Sequence, residues 1–274
     1  VDGSGVESGA ATDVGAHRDH NEDAFLVSER VFAVADGMGG HQAGEVASSL
    51  AVEVLAAFAE QPVLSSDQVQ DIVGAAHDRI AERGHQVRTM AGMGTTLAGL
   101  AEVSVAGQPH WAVFNVGDSR VYRYAGGLLT QISVDHSEVE ELVASGVIDR
   151  EQARTDFRRN IITRSLGADA RPQADLWVFP QAAGDQFLIC SDGLTNELSD
   201  DQIATLLAST DAPEQVARRL VDAAVAAGGH DNVTAVVVRV PFTPDDNGEA
   251  MSTGPLASED STAATAAADT EEQA

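Results

Sequence analysis

Five aspartates stand at the ends of strongly apolar runs, and that placement is the first sign of chemistry. Asp23 immediately precedes Ala24-Phe25-Leu26-Val27, and Asp36 follows Val31-Phe32-Ala33-Val34-Ala35 in Ala35-Asp36-Gly37-Met38-Gly39-Gly40. Asp118 follows Val113-Phe114-Asn115-Val116-Gly117, Asp192 follows Phe187-Leu188-Ile189-Cys190-Ser191, and Asp231 precedes the run that begins at Val233. A single Asp-Gly pair is ordinary turn chemistry. Five acids at five such ends are less ordinary, because buried strands lying side by side bring their ends together. Two carboxylates about 4 Å apart repel by roughly 4 kcal/mol at an effective dielectric near 20, so a cluster of them calls for cations. All-oxygen donors, with no cysteine and no evident histidine set, select hard octahedral ions: magnesium or manganese. Gly37, beside Asp36, leaves a backbone carbonyl free to turn toward a metal.

The natural counterpart is the arginine of Arg18-Asp19-His20-Asn21-Glu22-Asp23. Arginine binds phosphate oxygens bidentately and stays charged, while two metals polarise a phosphoryl group and activate water. His17, His20 and His41 lie near these acids in sequence. Each reads either as a ligand or proton shuttle or, more simply, as a surface or capping residue.

The elements that must position these side chains come in blocks. Residues 24–27 and 31–35 are short β-rich runs separated by Ser28-Glu29-Arg30, a hairpin signal. Val46, Leu50, Val54, Leu55 and Phe58 predict a helix over 43–60, and Val69, Ile72, Val73, Ala76 and Ile80 a second over 67–87. Strands are expected at 95–105, 111–116, 121–124, 176–179 and 187–190, helices at 200–207 and 213–227, and a last strand at 233–240. Paired helices bracketing blocks of strands predict sheets covered by helices rather than a βαβ array. From 243 to 274 the composition changes to Ala, Thr, Ser, Asp and Glu with no aromatic residue. Such a stretch buries too little apolar surface to offset its ordering entropy and reads as a disordered linker or tail.

Composition excludes several chemistries. The chain has 274 residues and a formal charge of −27; eight acids and no base fall in 243–274, which leaves −19 on the rest. Its 16 cationic side chains are all arginine. Without lysine there is no G-x-x-x-x-G-K-[ST] phosphate loop, no kinase ATP lysine and no Schiff base. Such an acidic chain does not suit nucleic acid or an anionic membrane surface as a main partner. One cysteine makes no internal disulfide, so a reducing compartment is expected. Cys190 lies in an apolar run, and six residues on, where a cysteine phosphatase needs its arginine, stands Asn196. The longest apolar stretch, near 51–59, is about half a membrane span, so no direct insertion of this chain is expected.

Taken in order, Asn21-Glu22-Asp23, Ala35-Asp36-Gly37-Met38-Gly39-Gly40, Gly92-Met93-Gly94-Thr95-Thr96, Asn115-Val116-Gly117-Asp118-Ser119-Arg120, Ser191-Asp192-Gly193-Leu194 and Asp231-Asn232-Val233-Thr234 resemble the PPM-type metal-dependent phosphatases, also called protein phosphatase 2C. The motifs span nearly all of 9–240. The resemblance implies an α+β fold over 1–242: a central antiparallel β-sandwich flanked by helices on both outer faces, in four layers. It also implies two ions, Mn2+ or Mg2+, at one end of the sandwich. Asp36 would bridge them with the Gly37 carbonyl on one, Asp192 and Asp231 would hold the other, and Glu22 and Asp23 would act through water. Asp118 with Asp192 matches a third-metal site of bacterial members, Arg18 the phosphate-binding arginine, and 138–160 a flap beside the active site. The implied reaction is hydrolysis of phosphoserine and phosphothreonine in proteins by dimetal-activated water, without a phosphoenzyme. Met38 departs from the animal form, which has a histidine there as proposed general acid; a thioether donates no proton, so water or His41 must serve. The implied partners are Ser/Thr-phosphorylated proteins and a cognate Ser/Thr kinase. The implied setting is the bacterial cytoplasm, whether as a free protein or as the cytoplasmic part of a longer, membrane-anchored one. The competing readings are a non-catalytic pseudo-phosphatase module and a hydrolase of small phosphate esters.

Overall fold

The computed structural model describes residues 5–39, 42–61, 64–168 and 170–241. His41 and the stretch 243–274 lie outside the described residues. One antiparallel sheet runs in the order β1 (Glu7–Asp13), β11 (Val233–Arg239), β10 (Gln186–Cys190), β7 (Arg120–Ala125), β8 (Leu128–Gln131). The other runs β2 (Asp23–Val27), β3 (Val31–Met38), β5 (Leu97–Val105), β6 (Gln108–Val116), β9 (Asp175–Pro180), with β4 (Gly94–Thr95) added to β3. The helices are α1 (Ala43–Ala59), α2 (Ser66–Gln86), α3 (Glu138–Ala144), α4 (Arg150–Thr155), α5 (Asp192–Thr195), α6 (Asp200–Leu207) and α7 (Pro213–Ala227).

Three apolar layers explain why the strands are near-continuous apolar runs: their residues are buried on both faces. Between the sheets lie Phe32, Val34, Leu100, Trp111, Val113, Phe187, Ile189 and Val236. Trp111 meets Phe32 and Phe187 edge-on there, at centroid distances of 6.4 and 5.8 Å. The alternate residues of β3, Val31, Ala33 and Ala35, face outward onto α1 and α2. On the other sheet Tyr122, Leu188, Cys190, Ala235 and Val237 pack with residues of α6 and α7. The result is the four-layer helix–sheet–sheet–helix order. The helix face of α1 is small, with Ala43, Gly44, Ala47, Ser48 and Ala51 all buried, so the helix sits close on β3. Ser65 starts α2 with a reciprocal capping box to Gln68, which satisfies otherwise unpaired backbone donors.

Helices α6 and α7 have the expected bounds, and the hairpin of β2 and β3 forms through Ser28-Glu29-Arg30. The single strand expected over 95–105 is broken into β4 and β5, because Thr95 and Thr96 turn their polar groups onto Asp36. Three kinds of element had no periodic signal. β1, with the sequence Glu-Ser-Gly-Ala-Ala-Thr-Asp, carries few strand-favouring residues, yet pairs with β11 over seven positions. β8 is a four-residue edge strand, and α3, α4 and α5 are at most seven residues long.

Candidate metal and phosphate site

The acids gather where five chain segments end on the same edge of the sandwich. Asp23 at the start of β2 pairs directly with Asp36 near the end of β3. β10 and β11 are antiparallel, with Cys190 opposite Ala235, so Asp192 just after one and Asp231 just before the other come together. Asp118 stands two residues beyond β6, after Gly117, whose φ of +110° strongly favours glycine.

Hydroxyls and amides fix the backbone and leave the carboxyls free to act. The Asp36 N–H donates to Thr96 Oγ1 (3.0 Å), and the Asp36 carbonyl accepts from the Thr96 N–H and from Thr95 Oγ1 (2.9 Å each). Thr96 Oγ1 and Ser119 Oγ share a further hydrogen bond of 2.7 Å, which joins the Asp36 and Asp118 loops. Asp23 Oδ2 accepts from Thr234 Oγ1 (2.6 Å) and Ser191 Oγ (2.8 Å), whereas its Oδ1 is buried with no hydrogen-bond partner. Asn232 donates to the carbonyls of Val14 and His20 and accepts from the Glu22 N–H, so it ties the arginine-bearing loop to β11. Arg18 Nη2 donates to Asp231 Oδ2 at 2.7 Å, from a side chain half exposed to solvent. The phosphate-binding candidate is thereby one hydrogen bond from a metal-binding candidate.

Gly37 also has a steric reason to be glycine that the sequence did not show. It lies within β3, opposite Thr95, and has no unusual φ. Glycine is required there because a Cβ would collide with the carbonyl oxygens of Gly44 and Glu22. Close approach of α1 and the Glu22 loop explains why no side chain fits there.

Several of these residues are partly open to solvent, as a site must be, yet their carboxyls are largely desolvated and mutually repelling. Desolvation, followed by the charges of Asp23, Asp192, Asp118 and Asp231, pushes the Asp36 carboxyl well above the usual range. Asp118 is pushed well up by burial and then by Asp192. Burial raises Asp192 too, with Asp231 adding to it and a hydrogen bond to Asp36 opposing it. Burial lifts Asp23 to about 7 against the lowering effect of its two hydroxyl donors. Glu22 is raised by burial, with Arg18 pulling the other way.

Among the described residues no three His, Cys, Asp or Glu side chains form a finished cation cage. The donor chemistry nonetheless fits a hard divalent ion. Four desolvated carboxyls raise one another's energy, one buried oxygen of Asp23 has no partner, and no soft ligand is among them. Asp36 feels the charges of Asp23, Asp192, Asp118 and Asp231, and Asp23 those of Asp192 and Asp231, whereas Glu22 sits at the margin beside Arg18.

His17 and His20 make contacts of other kinds. His17 stacks on His230 at 4.8 Å, His230 hydrogen-bonds Glu197 at 2.7 Å, and His20 supplies its carbonyl to Asn232. Cys190 is fully buried, its thiol pushed up to about 12 by desolvation, in keeping with a packing role. Sequence reasoning assigned no role to Thr95, Thr96, Ser119, Ser191, Asn232 and Thr234, although a hydroxyl or amide beside almost every site acid was the available signal. It also missed His136, eighteen positions from Asp118. The His136 Nδ1 accepts from the Gly117 N–H (3.1 Å), and the His136 N–H donates to the Gly117 carbonyl (2.8 Å).

A two-sheet sandwich with a carboxylate cluster and an arginine at one edge defines a class of metal-dependent phosphoryl hydrolases. The protein phosphatase 2C family model matches residues 16–228, and the chain belongs to that family. It is 35% identical over 243 residues to the serine/threonine phosphatase stp of Listeria monocytogenes, covering 85% of this chain and 95% of that protein. It is 38% identical over 234 residues to the serine/threonine protein phosphatase PstP of Mycobacterium tuberculosis, covering 84% of this chain and 44% of that longer protein. The crystal structure of the M. tuberculosis phosphatase superposes with a TM-score of 0.80 at 36% identity, over 86% of this chain and 99% of that one. A crystal structure of the PstP catalytic domain with two manganese ions superposes at 0.79, with the same identity and coverage.

Proposed function

We propose that this chain removes phosphate from phosphoserine and phosphothreonine in proteins, using two divalent ions, Mn2+ or Mg2+. The observation that carries the reading is Asp36: a carboxyl desolvated among four other aspartates at the edge of a family fold. Asp36, the Gly37 carbonyl, Asp192 and Asp231 would hold the two ions, with Glu22 and Asp23 acting through water and Asp118 with Asp192 taking a third. Bound ions supply two things: they lower the pKa of water and draw charge from the phosphoryl oxygens.

The chain's own groups do the rest. Arg18 leaves Asp231 for the incoming phosphate and orients it through paired N–H donors. Thr95, Thr96 and Ser119 keep Asp36 and Asp118 in fixed register, while Ser191 and Thr234 hold Asp23. Met38 has no proton to give the leaving oxygen, so that proton comes from water in the site or from His41. Cys190 is buried and its thiol pushed up to about 12, so it forms no phosphocysteine. The catalytic domain is 1–242, and the acidic stretch 243–274 lies outside it. Substrates are Ser/Thr-phosphorylated proteins made by a cognate kinase, and the setting is cytoplasmic. Among the described residues no helix is long and apolar enough to cross a membrane.

The test pairs calorimetric Mn2+ titration with hydrolysis of a phosphothreonine peptide, in the wild type and in Asp36→Asn. Loss of both tight Mn2+ binding and turnover in the variant is the expected result. Wild-type-like turnover in Asp36→Asn would sink the dimetal reading, and Mn2+ binding without hydrolysis of any phosphopeptide in the wild type would favour a regulatory module.

A further inference from the structure

In a chain of charge −27, residues 150–164 stand apart: five arginines against two acids, a net +3. Three of the five are tied up, Arg150 with Glu140, Arg158 with Asp156 and Glu138, and Arg164 with Asp175. Among the described residues Arg154 and Arg159 have no side-chain partner, and both are exposed. Between them Phe157 is 84% exposed, with the Arg158 guanidinium stacked over its ring at 5.1 Å. Val134, Val147 and Ile161 add to this, so four of the nine exposed large apolar side chains among the described residues fall within 134–161.

Hydrogen bonds fasten this segment to the site. The Glu138 N–H donates to the Ile161 carbonyl, Ser137 bridges Ile162, and the Thr163 N–H donates to the His136 carbonyl. His136 in turn holds both backbone groups of Gly117, next to Asp118. At about 3.3 Å per extended residue and about 5.5 Å per paired contact, Arg159 lies at most about 28 Å from Asp118 along this path. An extended peptide with its phosphate at the carboxylates covers that distance in about eight residues.

We propose that Arg154, Phe157 and Arg159 form a docking surface for the substrate polypeptide, and that it selects an apolar side chain flanked by carboxylates within about eight residues of the phosphorylated residue. This deepens the phosphatase reading and rests on it. Charge complementarity fixes the occupant: two unpaired guanidiniums take carboxylates, and an exposed ring between them takes an apolar side chain. The rest of the surface, strongly acidic, repels the same peptide, so the docking site supplies the local attraction.

The test uses three phosphothreonine peptides with one core and different arms: Asp/Glu with a leucine, Ser/Gly, and Arg/Gly. para-Nitrophenyl phosphate, which has no arm, reports the chemistry alone. Expected is a kcat/KM about tenfold higher for the acidic-apolar arm than for the neutral arm, through KM, shrinking as salt rises from 0.05 to 0.5 M. Arg154→Gln combined with Arg159→Gln, and separately Phe157→Ser, should bring that peptide down toward the neutral one. Equal kcat/KM for the acidic and neutral arms in the wild type overturns the proposal, as does a preference that survives the substitutions. A wild-type dimer that these variants make monomeric overturns it in favour of self-association. If no phosphopeptide is hydrolysed, the phosphatase reading fails, and fluorescence anisotropy of the labelled arms still decides docking: tighter binding of the acidic-apolar arm supports it, and equal binding refutes it.

Discussion

Asp23 makes the stability of the protein depend on pH and metal in a way that can be worked out in advance. Its carboxyl is held by Ser191 and Thr234, yet burial lifts it from 3.8 to about 7. A raised folded-state pKa means that the fold favours the protonated acid. That contribution is complete below about pH 4 and is lost as pH rises through 7. At about 1.4 kcal/mol per tenfold, a rise from 3.8 to about 7 corresponds to about 4 kcal/mol, of which about 3 kcal/mol falls between pH 5 and pH 8. Asp36, Asp118 and Asp192 are raised too and act in the same sense. The perturbation is Asp23→Asn, which keeps an oxygen for the two hydroxyl donors and removes the charge. Urea unfolding in a chelator at pH 5, 6.5 and 8 should show wild-type stability falling with pH and the variant gaining on it by about 3 kcal/mol across that range. Adding Mn2+ at pH 8 should restore the wild type, by about 2.7 kcal/mol at a hundred times Kd. Parallel pH profiles for wild type and Asp23→Asn in the chelator would refute the account, because the cost would then come from the general acidic surface.

Three further outcomes follow from named contacts. Arg18→Ala should lower kcat/KM for a phosphopeptide about 10- to 100-fold, the worth of a charge-assisted hydrogen bond to phosphate; unchanged steady-state kinetics would remove Arg18 from the phosphate. Thr96→Val preserves shape but leaves the Asp36 N–H without its acceptor, and should cost about 1–3 kcal/mol in urea unfolding together with weaker Mn2+ binding by calorimetry. Iodoacetamide at pH 8 should neither label Cys190 in the folded protein nor alter activity, since the thiol is buried and pushed up to about 12; rapid labelling, read by mass spectrometry, would contradict that burial.

The acids themselves were legible because strand ends are marked twice, once by the apolar run that must be buried and once by the acid that breaks it. That pattern identified Asp23, Asp36, Asp118, Asp192 and Asp231 before any pairing was known. Helices α6 and α7 were equally legible, since each buries one stripe at helical spacing. β1 was not, because its pairing with β11 comes from a partner more than two hundred residues away. The steric need for glycine at position 37 was not legible for a related reason: backbone crowding by Gly44 and Glu22 involves segments that local sequence does not place.

What the sequence determined by itself is therefore the candidate donor set and the chemistry it could do: oxygen donors at strand ends, a candidate arginine for an anion, no lysine and a single cysteine in an apolar run. Residue type and strand periodicity are local properties, and both survive without knowledge of the fold. Only the tertiary structure decided which groups bear on which. It set Asp36 opposite Asp23, put the Arg18 guanidinium on Asp231, and made Thr95, Thr96, Ser191 and Thr234 the supports of the acids. It also fastened Gly117 to His136 and, through it, the arginine-rich segment to the site. Such contacts depend on antiparallel register and on the packing of two sheets, and register is settled by the whole buried surface rather than by any one segment.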